Sequence, residues 1–275
     1  MIRRPPRSTL SSSSAASDVY KRQGTKVRLK ILHRDEETPI EVEIVRDVIE
    51  IPSVNFEILP EKIAYIKISY FSETTADEVA EALEEAIFKG IKGVILDLRD
   101  NPGGMLEAAV ATASQFLKEG LVLYALDNKE RRKEWKVRPG GLAGDIPLAV
   151  LVNEGSASAA EIVAAAFQDH ERAKIIGTRT TGKGSINCFR QLSDGSGLYI
   201  TIARWFSPKG RGIEGKGVSP DPGFEIEVTP EDLKEGRDPQ LEAGIKWLKE
   251  AFEKGVREGS ADLHRVEKDF RRITA

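Results

Sequence analysis

Two short apolar segments, each followed by small residues and then by a helical pattern, constrain the fold of this 275-residue chain most strongly. Gly93–Leu98 is almost entirely apolar and Leu148–Val152 is entirely so, as is typical of strands buried on both faces of a parallel sheet. An apolar pattern with helical spacing follows each of them. Because strands that alternate with helices usually form one sheet covered by helices, the sequence predicts an α/β core.

The same patterns predict the remaining elements of this core. A capping box of Thr75 and Glu78 is expected to start a helix that ends at Gly90, and a second helix is expected to reach about Leu117. The polar stretch between residues 126 and 148 is predicted to cross the surface. Further strands are predicted at Ile63–Ile68, Leu121–Leu126, Lys174–Ile176, Leu198–Trp205 and Phe224–Val228, and a third helix at Ala159–Gln168.

Four regions follow from changes in composition along the chain. Residues 1–23 are polar and of low complexity, resemble translated sequencing-adaptor sequence and lack the apolar stretch of a signal peptide, so we predict a disordered, non-native tail. Residues 24–50 alternate as two half-buried strands with few partners of their own. We assign residues 51–247 to the α/β core and residues 248–275 to a charged, helical C-terminal segment.

Composition excludes several classes of function. A net charge of -3 and an isoelectric point near 5.9 provide no basic surface for nucleic acid. No apolar stretch approaches the roughly 18 residues that a membrane span needs. A single cysteine, Cys188, excludes an internal disulfide and a cysteine-rich metal site. We therefore predict no cofactor, no metal, no nucleic-acid partner and no transmembrane segment.

Two strand-to-helix turns carry the small residues that allow close approach of a backbone: Asn101–Gly104 and Gly155–Ala159. Such turns lie at the carboxyl edge of a sheet, where α/β folds place their ligands. A serine at a helix start is close to backbone N–H groups that can hold an oxyanion, and the helix dipole favours negative charge there. The alternative is that Ser156 or Ser158 is only an N-cap.

A nucleophilic serine needs a base, and the three histidines fit poorly. His170 lies 12 residues after Ser158, about 18 Å away along a helix, and Asp169 is excluded by the same distance. His33 and His264 lie in segments expected at the surface. Lys183 remains, between two glycines that would let the backbone pack tightly and desolvate the amine. The phosphate-loop pattern is not met, because Gly184 follows the lysine.

Four segments together resemble the C-terminal-processing (tail-specific) peptidases, the S41 family of serine proteases. The resemblance implies a crotonase-like (ClpP/crotonase) α/β peptidase core behind an N-terminal PDZ domain. Gly24–Asp47 resembles the last strands of that PDZ domain, so the chain is expected to be a fragment with a truncated PDZ remnant. The segments are Gly93–Gly104, Val150–Ile162, Ile176–Gly184 and Gly215–Asp221.

The resemblance also implies roles for individual residues. Ser158 matches the family nucleophile, and Lys183, 25 residues later, matches the general base. The N–H of Ala159, with that of Gly104 or, less favoured, Gly103, would form the oxyanion hole. Asn187 stands where the family usually has a glutamine that orients the lysine; it is one methylene shorter, and a gap of about 1.5 Å can cost on the order of 100-fold in rate.

The predicted function is a serine endopeptidase with a Ser/Lys dyad that cleaves polypeptides near apolar C-terminal tails through an acyl-enzyme. One alternative is a catalytically weakened peptide-binding scaffold of the same fold, suggested by Asn187. Another is a crotonase-type acyl-CoA enzyme, because fold alone does not fix function. The resemblance further implies an extracytoplasmic location, and the sequence leaves the oligomeric state open.

Overall fold

A computed structural model of the chain describes residues 24–32, 38–47 and 51–253. These residues form two compact units: the first holds the described residues up to Ile51 together with Phe189–Leu198, and the second holds Pro52–Cys188 and the residues from Tyr199 onward. The predictions for residues 1–23, for His33 and His264, and for residues 254–275 concern positions outside the described residues.

The first unit contains the predicted hairpin. Strand β1 (Lys26–Ile31) pairs antiparallel with β2 (Ile40–Val45). Alternation places Val27 and Val42 on the less exposed face, but apolar side chains such as Ile44 stay more than two-fifths exposed. The hairpin therefore buries little apolar surface of its own. Its assignment as a PDZ remnant stays a prediction.

The second unit is built on a five-stranded sheet in the order β3-β4-β5-β8-β9. The edge strand β3 runs antiparallel to β4, and the other neighbours are parallel. The bounds are β3 Val54–Leu59, β4 Ile63–Ile68, β5 Gly93–Asp97, β8 Leu148–Val152 and β9 Lys174–Gly177. The predicted parallel core is confirmed, and β3 is an addition to it.

Helices cover both faces of this sheet. On one face, Val94 and Leu96 pack with helices α1 (Thr75–Phe88), α2 (Leu106–Phe116) and α3 (Ala159–Asp169). On the other face, Ile95 packs with the helix over residues 239–253, here α5, which a short helix α4 (Pro230–Glu235) precedes. Leu248 of α5 is fully buried. The boundary predicted after residue 247 thus falls inside a helix that packs on the core.

A second, antiparallel sheet has the order β10-β11-β6-β7. Its strands are β6 Leu121–Asp127, β7 Arg132–Lys136, β10 Ser185–Gln191 and β11 Gly197–Phe206. The sequence did not predict β7, because four of its five residues are charged and only Trp135 is apolar. The surface excursion between residues 126 and 148 therefore contains a strand.

Two local predictions were wrong. Phe224–Val228 alternates as a strand should, yet it does not form one. It pairs with the sheet at a single bridge, between Gly177 and Glu225, because β9 ends at Gly177 and offers no further residue for pairing. The capping box of Thr75 with Glu78 does not form: helix α1 has Thr74 at its N-cap. The Glu78 carboxylate instead accepts hydrogen bonds from the backbone N–H groups of Ser53 and Val54, at 2.9 Å each.

Candidate active site

The turn after β8 presents Ser158 at the start of α3. Ser158 is the N-cap residue and has φ 53° and ψ −110°, an unusual backbone conformation for a residue with a side chain. Ser156, by contrast, is fully buried. Its hydroxyl donates to Leu98 O (2.7 Å) and accepts from Asn153 N (3.0 Å). Ser156 is therefore used structurally, whereas Ser158 lines a cavity.

The turn after β5 is hydrogen-bonded directly to the serine turn. Asn101 O accepts from Ala157 N at 2.9 Å. The Asn101 side chain is fully buried, donates to Ile68 O (2.8 Å) and accepts from Gly103 N (2.8 Å). Because buried polar groups that are fully paired hold one geometry, these bonds fix the two turns relative to each other.

Glycine is required at two positions of this turn. Gly103 has φ 101°, and a Cβ there would lie 2.7 Å from Ser158 Cβ. Gly104 has φ 142°, and a Cβ there would lie 2.1 Å from Phe71 O. Both contacts are too short for any side chain. A substitution at Gly103 would push this turn away from the serine turn, and one at Gly104 would push it away from the backbone of Phe71.

The backbone N–H groups around Ser158 differ in their availability. The Gly103 N–H is used by the Asn101 side chain. Within residues 51–253, the N–H groups of Gly104 and Ala159 donate to no acceptor. An oxyanion hole needs free, fixed donors of this kind. The N–H groups of Gly104 and Ala159 are therefore available to a ligand and that of Gly103 is not; the role of these residues in an oxyanion hole stays a prediction.

The loop that carries Lys183 is held by its main chain. Lys183 O accepts from Trp205 Nε1 (3.1 Å), and Gly184 O accepts from Trp205 N (2.9 Å). Gly182 O accepts from Gly215 N at 2.8 Å, which joins the loop to the fourth of the segments that resemble the family. Trp205 is 1% exposed, so these bonds are shielded from water.

A buried carboxylate, Glu161, links the serine turn to the lysine loop. Its Oε2 accepts from the backbone N–H groups of Ser158 (2.8 Å) and Lys183 (2.7 Å). Its Oε1 accepts from Gly182 N (2.6 Å) and Thr180 Oγ1 (2.5 Å). Sequence analysis missed this residue, although a Ser-x-x-Glu pattern at a helix start is a signal that could have found it.

Ser158 and Lys183 line one cavity of about 330 Å³. Among the described residues, no hydrogen bond joins Ser158 Oγ to Lys183 Nζ; hydrogen bonds of this kind are often long before substrate binds. Asn187 lines the same cavity, and its Oδ1 accepts from Thr201 Oγ1 at 2.7 Å. The structure thus brings the predicted residues together and adds Thr201, Trp205 and Glu161 to them.

A charged cluster lies just before the first turn. Asp97 is fully buried and accepts hydrogen bonds from Arg99 Nη2 (2.7 Å) and Tyr65 Oη (2.5 Å), while Arg99 also pairs with Asp238. Burial, together with the Asp97 charge, raises the pKa of Tyr65. Burial alone lowers the pKa of Arg99, but its hydrogen bonds to Asp97 and Asp238 raise it overall. The cluster fixes the backbone where the turn begins.

The described residues contain no cluster of His, Cys, Asp and Glu suited to a metal ion. Across the same part of the chain, every helix is too short or too polar to cross a bilayer.

Comparison with known proteins gives consistent matches. The model of peptidase family S41 matches residues 62–223. A carboxyl-terminal-processing protease of Synechocystis sp. is 39% identical over 217 residues, which is 78% of this chain and 51% of that protein. The carboxy-terminal processing protease CtpA of Bacillus subtilis is 38% identical over 208 residues, 76% of this chain and 44% of CtpA. The chain thus spans about half the length of these curated relatives.

Solved structures agree with the sequence matches. The photosystem II D1 C-terminal processing protease superimposes with a TM-score of 0.60 and 32% identity, over 71% of this chain and 53% of that one. The tricorn protease superimposes with a TM-score of 0.53 at 23% identity, over 84% of this chain and 23% of that one. The second likeness concerns the fold alone.

Proposed function

This chain belongs to peptidase family S41, and from that membership we propose that it is a serine endopeptidase that cleaves polypeptides near apolar C-terminal tails. The family membership confirms the resemblance seen in the sequence, and the mixed α/β fold is that of S41 peptidases. Our proposal extends to a crotonase-like core, to residues 24–50 as a PDZ remnant, and to an extracytoplasmic location.

One observation carries the proposal. Ser158, Lys183 and the unpaired N–H groups of Gly104 and Ala159 all border one cavity, and the Glu161 carboxylate binds the backbone on both sides of it. A nucleophile, a base and an oxyanion hole are the three parts that acyl transfer requires.

In the proposed mechanism, Ser158 Oγ attacks the carbonyl carbon of the scissile peptide bond while Lys183 Nζ takes the hydroxyl proton. The negative charge that develops on the carbonyl oxygen is stabilised by the N–H groups of Gly104 and Ala159. The intermediate then collapses: the C–N bond breaks, and Lys183 gives its proton to the leaving amine. Water, deprotonated by Lys183, hydrolyses the resulting ester on Ser158.

The experiment that tests this proposal combines turnover with trapping. The protein is incubated with an unstructured peptide ending in apolar residues, and with a fluorophosphonate that reacts only with an activated serine. We expect cleavage near the C-terminus and one label, on Ser158, found by mass spectrometry of the digested protein. A label on Ser156 instead, or on no serine, would contradict the assignment.

A catalytically weakened peptide-binding scaffold is the second candidate, and one observation favours it. Asn187 Oδ1, the acceptor expected to orient Lys183, is already bound to the Thr201 hydroxyl. If Lys183 is poorly oriented, the cavity binds peptides without rapid acyl transfer. The two candidates differ in the fluorophosphonate experiment, because the scaffold binds peptide with ordinary affinity yet labels slowly.

A further inference from the structure

The amine of Lys183 needs hydrogen-bond acceptors around it if it is to keep one orientation, because a charged amine carries several N–H donors and no acceptor. Two neighbours in the cavity of about 330 Å³ supply little. Trp205 can only donate, and its Nε1 already donates to Lys183 O (3.1 Å). Asn187 has one acceptor atom, Oδ1, which already accepts from Thr201 Oγ1 (2.7 Å). The amine therefore lacks a dedicated acceptor among these side chains.

The hydroxyl of Ser185 can supply the missing acceptor. Ser185 is half-buried, lines the same cavity as Lys183 and begins strand β10. Within residues 51–253, no hydrogen bond occupies its Oγ. A serine hydroxyl can donate and accept at once, so it can receive an N–H of the amine. Tyr199 also lines the cavity, but it is 67% exposed, so its hydroxyl is left mainly to water.

The backbone fixes where this hydroxyl lies. Gly184 stands between the lysine and the serine; its O accepts from Trp205 N (2.9 Å), and a Cβ on it would lie 2.4 Å from Glu214 N. Because two residues span at most about 7 Å of chain and four at most about 14 Å, Ser185 is held closer to Lys183 than Asn187 has to be. Rotation about a single side-chain bond then places the Ser185 Oγ.

We propose that Ser185 is a positioning residue for Lys183: its Oγ accepts a hydrogen bond from Lys183 Nζ and holds the amine beside Ser158 Oγ. The inference rests on the proposed endopeptidase function. A lysine side chain has many rotamers, and a fixed acceptor selects those in which Nζ faces the nucleophile. Among the described residues, Ser185 Oγ and Lys183 Nζ are not yet hydrogen-bonded; bonds of this kind tighten when substrate binds.

The test removes the hydroxyl and then restores it. Ser185→Ala should lower kcat about tenfold with KM unchanged, because a hydrogen bond to a charged group is lost while the peptide still binds. The rate of fluorophosphonate labelling at Ser158 should fall by the same factor, since both rates depend on the orientation of Lys183. Ser185→Thr keeps a hydroxyl and suits a strand, so it should restore most of both rates.

Ser193→Ala is the matched control, because Ser193 is an exposed serine in the turn between β10 and β11 and does not line the cavity. It should leave kcat, KM and the labelling rate unchanged. A second comparison repeats Ser185→Ala in the Asn187→Gln protein. The longer amide there takes part of the load of holding the amine, so the loss should be clearly smaller than in the wild type.

Three results would overturn the inference: wild-type kcat and labelling in Ser185→Ala, a loss that Ser185→Thr fails to restore, or an equal loss in the wild-type and Asn187→Gln proteins. The last two are what a serine that only stabilises strand β10 would give. Failure of the endopeptidase proposal would be seen separately, as intact peptide and an unlabelled Ser158 in the unmodified protein, and it would reject this inference as well.

Discussion

The candidate site has a serine side, formed by the turns after β5 and β8, and a hairpin side, formed by strands β10 and β11. The two sides are held by different kinds of contact. On the serine side, the turns at Asn101–Gly104 and Asn153–Ser158 are joined by hydrogen bonds among residues that are largely buried. On the hairpin side, Asn187 is half-buried and its carbonyl is bound to the exposed Thr201. The fold thus fixes the proposed nucleophile and the proposed oxyanion donors through the backbone, whereas the amide proposed to orient the Lys183 amine is held by a side chain in contact with water.

The largest expected effect comes from removing the reacting groups. Ser158→Ala and Lys183→Ala should each reduce kcat/KM by at least about 10³-fold, because a hydroxyl without its base is a weak nucleophile. Both proteins should keep their melting temperature within a few degrees, since neither side chain is fully buried. Steady-state turnover of an apolar-tailed peptide and thermal melts measure the two quantities. Wild-type turnover in either variant would remove the Ser/Lys pair from the mechanism.

The second effect concerns the carboxylate that joins the two sides. Glu161→Gln removes one oxygen acceptor from a group that receives four hydrogen bonds, leaving buried N–H donors unpaired. We expect a loss of about 3 kcal/mol in the free energy of unfolding and a fall in kcat of about 100-fold. Glu171→Gln, an exposed acid just beyond the same helix, is the control and should change neither quantity. Equal behaviour of the two variants in urea melts would contradict the role assigned to Glu161.

A smaller effect should separate the hairpin side from the serine side. Asn187→Gln extends the side-chain amide toward Lys183. It should raise kcat by about tenfold, which recovers part of the loss in rate that a misplacement of about 1 Å causes. Thr201→Val keeps the side-chain volume but removes the donor that binds Asn187 Oδ1, so it should raise kcat by a smaller factor. Unchanged or lower kcat in both variants would mean that Lys183 is already well oriented.

The smallest effect concerns the pH dependence of the charged cluster of Asp97, Arg99 and Asp238, which lies just before the turn after β5. Burial raises the pKa of Asp238, but the hydrogen bond and charge of Arg99, together with hydrogen bonds from the backbone of Leu241 and Gln240, outweigh burial and lower the pKa below its ordinary value. Its contribution to stability is therefore complete above the unfolded pKa of about 3.9 and is lost as pH falls through the folded pKa. Because Asp238 is partly exposed, we expect less than about 1 kcal/mol. Urea melts between pH 6 and pH 3 should show a shallower loss for Asp238→Asn than for the wild type.

The same contrast explains how much of the molecule could be predicted from sequence. Strands β5 and β8 and their turns were predictable, because buried apolar segments and small residues have few other uses. Strand β7 was not, since its exposed charges carry no periodic signal. The bond between Asn187 and Thr201 was not predictable either, because it depends on the register of β10 against β11. Sequence patterns record burial, whereas side-chain pairs on an exposed hairpin depend on tertiary placement.

The single carboxylate of Glu161 has a consequence for transplanting this chemistry to another protein. Because it holds the backbone of Ser158 and of Lys183 at once, a serine and a lysine grafted at matching positions of another scaffold would lack their common anchor. A transplant would have to carry the helix start, the lysine loop and the segment around Gly215 that packs behind it. Transferring the site to another scaffold therefore requires these hydrogen-bonded segments together, because the two side chains alone are not enough.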